Sequence, residues 1–148
     1  MNNPDLTYIT LINKTMEKKI TAIIERATDG SYSIYTLEDF DGFMLAGYGE
    51  TPDAAIADFW DVHKELKEEL GADIVPDIDV TFRYDVASFL RKFKEEFSMS
   101  GLQAITGINQ KQLHHYLSGQ SRPSASTVQK IQAGIADFAK ELSAIQFA

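Results

Sequence analysis

Hydrophobic and polar positions alternate in short runs through the first half of the chain. Residues 19–26, Lys-Ile-Thr-Ala-Ile-Ile-Glu-Arg, form a β-branched run. Asp29-Gly30 behind it is a tight-turn pair, so Tyr32-Ser33-Ile34-Tyr35 reads as the returning strand of a hairpin. A second turn at Asp39, Asp41 and Gly42 leads to a third strand over residues 43–49, and Gly47 and Gly49 predict a bend or a close backbone approach at its end. Thr51-Pro52 starts a helix: threonine satisfies an orphan N–H, proline has none to lose, and Asp53 meets the positive end of the dipole. Ile56, Phe59, Trp60, His63, Leu66 and Leu70 then lie on one stripe, and Gly71 supplies the stop. His63 belongs to that stripe and reads as a core histidine. Val80, Phe82 and Tyr84 alternate with Thr81 and Arg83 as a fourth strand. Three strands, a helix and a strand make a small α+β layer domain over residues 18–85, with the helix covering one sheet face. The other face is an interface if it keeps apolar residues. Residues 1–17 contain a strand-like stretch, 6–12, with poor alternation, an extra edge strand or a packed arm.

After Asp85 the period becomes helical. Asp85 can cap a first helix with Phe89, Leu90, Phe93 and Phe97 on its apolar side and Arg91, Lys92 and Lys94 on the remainder. Ser98 caps a second, running through Leu102, Ile105 and Thr106 to a turn at Gly107, under which Ile108 should pack. Asn109 caps a short third helix whose Leu113 and Leu117 face inward and whose Gln110, Lys111, His114 and His115 project outward. A helix held by its back that can read a surface with its front is the arrangement of a helix-turn-helix unit, here residues 86–148. Beyond the loop containing Arg122-Pro123, Ser124 or Ser126 caps a last helix. Val128, Ile131, Ile135, Phe138, Leu142 and Ile145 recur along it at steps of three and four, a heptad-like seam. Its first half closes the core; Phe138, Leu142 and Ile145 are expected to serve dimerisation. Gly134 either interrupts the seam or permits close approach.

The net charge of -8 over 148 residues argues at first against nucleic acid. Its distribution reverses that: residues 1–87 carry 7 Lys/Arg against 18 Asp/Glu, whereas residues 88–148 carry 7 against 4. The acidic part cannot face DNA, and the basic part can. In a major groove, the Gln110 amide can present donor and acceptor together to adenine, and Lys111 can donate to guanine or phosphate. Asn109, Arg122, Lys130 and Arg91 are phosphate candidates. His114 and His115 are adjacent on a helix, about 100° apart, and no third ligand accompanies them, so no metal is expected. Asp29, Asp39, Asp41 and Glu50 fall in turns rather than converging from neighbouring strands, so no catalytic residue or cofactor is expected. Outward positions of the long helix, Asp58, Asp61, Lys64, Glu65, Lys67, Glu68 and Glu69, make a charged face in which Lys64 attracts Glu68 and Asp61 repels Glu65. There is no cysteine, which excludes disulfides and thiol nucleophiles. No apolar run approaches the roughly 20 residues of a membrane span and no basic signal start precedes one, so a cytoplasmic location is expected.

Two stretches resemble known families. Asp29 to Tyr35, Gly42, and Gly49-Glu50-Thr51-Pro52-Asp53-Ala54-Ala55-Ile56 resemble the partial ribonuclease H-like domain of HicB-type antitoxins over residues 18–85, with Glu50 where Asp is common and Asp53-Ala54 where Glu-Glu is common. Leu102, Gly107-Ile108-Asn109, Leu113, Tyr116, Gly119 and Pro123 resemble the helix-turn-helix signature of the lambda repressor/Cro-like family. Gln103 stands where that family usually has alanine, and Met99 where many members have a phosphate-contacting glutamine. That resemblance implies base reading by Gln110, Lys111 and His114, with His115 at the margin. Together the two imply a non-enzymatic antitoxin of a type II toxin-antitoxin pair that represses its own promoter on operator DNA and neutralises a small basic RNA-cleaving toxin by occlusion; the heptad-like seam adds the expectation of a homodimer or a higher even-numbered oligomer. Without a toxin partner, the same chain would be a DNA-binding regulator whose N-terminal domain senses a ligand or serves assembly.

Overall fold

The structure, a computed structural model, describes residues 17–39 and 42–148; the stretch 6–12 and the turn residue Asp41 lie outside them. The chain divides into two compact units between Tyr84 and Asp85, one residue from the expected boundary. It is an α+β protein with a four-stranded mixed sheet and five helices among the described residues.

The first unit contains β1 (Lys18–Arg26), β2 (Tyr32–Thr36), β3 (Ala46–Gly49), α1 (Pro52–Leu70) and β4 (Ile78–Tyr84). Sheet order is β3-β2-β1-β4, with β1 antiparallel to β2, β2 antiparallel to β3, and β4 parallel to β1. Helix α1 is the crossover that a parallel partner requires. The hairpin turn is held as its sequence suggests: the Asp29 carboxylate accepts from Ser31 N at 2.9 Å and from Ser31 Oγ at 2.6 Å. Those bonds, the hydroxyl first, hold its pKa below the usual carboxylate range. Strand β3 is shorter than residues 43–49; Leu45, just before it, is buried and its carbonyl accepts from Thr36 N at 3.2 Å.

The core lies between the sheet and α1. Ile20, Ala22, Ile24, Tyr32, Ile34 and Thr36 point from the strands toward Ala55, Phe59 and His63 of the helix. Burial of each large aliphatic side chain there stabilises by roughly 1.5–3 kcal/mol. The buried line of α1 is rotated from the expected stripe: Ala55 is fully buried, whereas Trp60 and Leu70 keep 37% and 41% exposure. The glycines of β3 explain the rotation. A Cβ on Gly47 would lie 2.4 Å from Ala55 O, and one on Gly49 2.5 Å from Ala55 N, so the first turn of α1 rests directly on strand backbone. His63 is a core residue whose Nε2 is 2.9 Å from Pro76 O, with the Trp60 ring edge-on beside it.

Helix α1 starts and stops on the residues its sequence indicates. Thr51 Oγ1 accepts from Ala54 N, and Gly71 ends it at φ 90°. On its outer face Lys64 and Glu68 are 4.0 Å apart. Two other outward charges have structural work. Asp58 Oδ2 accepts from Tyr48 N at 2.8 Å, and Lys67 binds Asp77, whose pKa is lowered first by that hydrogen bond and then by the lysine charge. The sheet face away from α1 is mixed rather than continuously apolar. It carries half-buried Ile23 between Tyr35 and Arg83, with Tyr35 Oη donating to Glu25 Oε1 at 3.0 Å.

The second unit is helical: α2 (Val86–Phe93), α3 (Met99–Thr106), α4 (Gln110–Leu117) and α5 (Ala125–Ser143). Leu90, Leu102, Leu113 and Tyr116 are its buried centre, with Val86, Phe89, Phe97, Met99, Ile108 and Leu117 packed around them. Phe97 lies past the end of α2, in the turn before α3. No helix of the described residues is long and apolar enough to cross a membrane.

Candidate nucleic-acid interface

Every helix start in the second unit is capped by the side chain its sequence offers. Asp85 accepts from Ser88 N, Ser98 from Gly101 N, Asn109 from Gln112 N and Ser124 from Thr127 N, at 2.9 to 3.2 Å. Such caps each contribute about 1 kcal/mol and fix where each helix begins. Between α3 and α4 the chain reverses at Gly107, at φ 70°, a left-handed conformation in which its N–H returns to Gln103 O at 2.8 Å. Thr106 Oγ1 donates to Leu102 O at 2.7 Å and accepts from Ile108 N at 3.2 Å. Ile108 is partly buried against the core, as expected.

Helix α4 presents two sides. Leu113 and Tyr116 are buried and Leu117 is half-buried. Gln110, Lys111 and His114 are exposed together, one turn of helix on the opposite side. His115 is only half-buried and sits at the margin of that surface. Its carbonyl accepts from Ser118 Oγ at 3.2 Å and from Ser121 N at 3.2 Å, which ties the following loop to the helix. Gln112 Nε2 adds a bond to Ser121 Oγ at 3.3 Å. The loop therefore holds exposed Arg122 close behind α4 in sequence and bonded structure.

The phosphate candidates are placed differently from one another. Asn109 spends its side-chain oxygen on the cap. Lys130 Nζ donates to Gly107 O at 3.1 Å, so it braces the turn while remaining exposed at its edge. Arg122 is exposed, and Arg91 is half-buried and engaged in an interaction of its own. Gln110, Lys111 and His114 thus form one surface; Arg122 and Lys130 belong to elements bonded to it.

Gln103 is the residue whose importance the sequence hides. Its Oε1 accepts from Gln110 N at 3.1 Å, joining α3 to the first residue of α4. The legible signal is only a long amide side chain seven positions before Gln110, across a turn. Residue type alone marks it as out of place rather than as a brace.

The dimerisation residues are redistributed. Phe138 is half-buried and packs edge-on against Phe97 of its own unit, ring centroids 5.8 Å apart. Leu142 is 50% exposed near the end of α5. Ile145 is also exposed but lies beyond Ser143, where the helix has ended and Ile145 N bonds Leu142 O. Of the three, Leu142 is the one exposed side chain within the helix itself. Gly134 resolves as a close approach: a Cβ there would lie 2.2 Å from Ile105 O, so α5 crosses α3 backbone to backbone.

Searches against family models, curated proteins and solved structures return no match for this chain.

Proposed function

We propose that this chain is a sequence-specific DNA-binding repressor, with α3 and α4 as a helix-turn-helix and α4 as the reading helix, and that it acts as the antitoxin of a type II toxin-antitoxin pair. The observation that carries the DNA-binding part is the joint exposure of Gln110, Lys111 and His114 on a helix fixed at its start by Asn109 and Gln103. A rigidly seated helix of this kind loses little freedom on entering a groove, and its side chains carry the donor and acceptor chemistry that distinguishes base pairs.

The neutralising part rests on the resemblance of residues 18–85 and on the charge division. An acidic domain suits a basic partner and keeps away from DNA. Occlusion needs no chemistry from this chain. The reading surface by itself equally supports a regulator without a toxin, which is the alternative.

Affinity capture of the full chain from its native cells, followed by binding to the DNA upstream of its own reading frame, separates these readings. Recovery of a small basic protein together with upstream DNA binding is expected. DNA binding without such a protein leaves the regulator. Absence of DNA binding removes both.

A further inference from the structure

The two edges of the sheet are finished differently. At one edge β3 is four residues long, contains two glycines, and has the outward N–H of Tyr48 taken by Asp58 of α1. Those are the devices by which an edge strand is withheld from pairing. At the other edge β4 has seven residues, Ile-Asp-Val-Thr-Phe-Arg-Tyr, with no proline and no glycine. Lys18 N bonds Asp77 O, so the odd-numbered residues of β4 turn their backbone groups toward β1. By alternation the N–H and C=O of Val80 and Phe82 turn outward, along an edge that no other strand of the described residues occupies.

The side chains of β4 are self-complementary. Asp79, Thr81 and Arg83 are exposed on the face away from α1, while Val80, Phe82 and Tyr84 are half-buried on the helix side. Asp79 and Arg83 are four residues apart on one strand, roughly 13 Å, too far to pair with each other. In register within the sheet, Asp79 lies beside Lys19, and Arg83 lies beside Ile23, which offers it no opposite charge. Reversing a second β4 about a two-fold axis through Thr81 sets Asp79 opposite Arg83 twice, Val80 opposite Phe82 twice, and Thr81 opposite itself. That register also makes Val80 and Phe82 the hydrogen-bonded pairs, as their outward backbone groups require. Trp60, 37% exposed with its ring 6.4 Å from that of Phe82, would be covered further.

We propose that a second copy of this chain pairs with it antiparallel through β4, joining the two sheets across a two-fold axis at Thr81. The contact is isologous, so it closes with two copies and does not propagate. It stands on the sheet geometry alone and is independent of any DNA-binding role.

A charge swap in the full-length protein tests it by sedimentation equilibrium at low salt. Asp79→Arg places Arg opposite Arg, and Arg83→Asp places Asp opposite Asp, in both cases twice per interface. Each single variant should weaken this association at least tenfold, equivalent to about 1.4 kcal/mol. The double variant Asp79→Arg/Arg83→Asp restores opposite charges in the same register and should recover affinity to within about threefold of wild type. Both positions are exposed, and circular dichroism should show all three variants folded; Asp79→Arg sets like charge beside Lys19, which costs the fold less than about 1 kcal/mol at such exposure. Single variants that associate as wild type does, a double variant that stays dissociated, or a wild-type chain that is monomeric at its highest soluble concentration would each overturn the proposal. Because no residue of α5 is altered, association through that helix cannot mimic the swap.

Discussion

Gln110 and Lys111 occupy the first turn of α4 with their side chains exposed, and neither contributes an apolar contact to the core. Replacing both by alanine should therefore leave folding intact and weaken binding to the upstream DNA at least tenfold in a mobility-shift assay, with the mass of the free protein unchanged. Equal binding by variant and wild type would remove α4 as the reading element. Gln103 behaves differently, because its amide holds Gln110 N rather than facing outward alone. The caps Thr51, Asp85, Ser98 and Asn109 were legible, since each places a short oxygen-bearing side chain before a periodic run, and Ser124 was one of two serines that the last helix offered. Gln103 was not legible, because no local rule links a residue inside one helix to the first N–H of the next. Asp58 escaped for the same reason: its partner, Tyr48 N, is on a neighbouring strand ten residues earlier.

At the scale of elements, α5 is where sequence and structure part most. Heptad spacing reports only which residues share a side of a helix, not whether that side meets its own unit or another copy. Phe138 satisfies the pattern by packing on Phe97. Phe138→Ala should accordingly lower stability by roughly 3 kcal/mol or somewhat less, since the ring is only half-buried, whereas Leu142→Ala should leave the urea midpoint nearly unchanged. Gly134→Ala completes the series. Its Cβ overlaps Ile105 O, and the loss of roughly 1–3 kcal/mol should exceed the ~1 kcal/mol that alanine gains in helix propensity. If Phe138→Ala alters mass but not stability, the intramolecular assignment fails. The strand-helix-strand order was readable from turns and alternation, yet the parallel seating of β4 was not, because alternation carries no direction. The rotation of α1 toward Ala55 was likewise invisible until the glycines of β3 were seen beneath it.

For the whole molecule, charge separation sets the limits of the DNA reading. The basic candidates on each copy are Arg91, Lys111, Arg122 and Lys130, so two copies neutralise at most about eight phosphates, giving a slope of log affinity against log salt no steeper than roughly -7. Arg122→Ala in both copies should flatten that slope by about 1.8. A slope unchanged by the substitution would remove Arg122 from the interface. The acidic excess of the first 87 positions gives no such attraction.

The backbone crossing at Gly134 gives α5 a defined helical phase. With no side chain between Gly134 and Ile105 O, the helix cannot slide or roll on α3, and Lys130, one turn earlier, is tied to the Gly107 carbonyl. Leu142 therefore points in a direction fixed relative to the turn that precedes α4. One residue inserted between Gly134 and Leu142 would swing that side chain by about 100° and leave the turn untouched, while seven would return it almost to its starting azimuth, two turns further out.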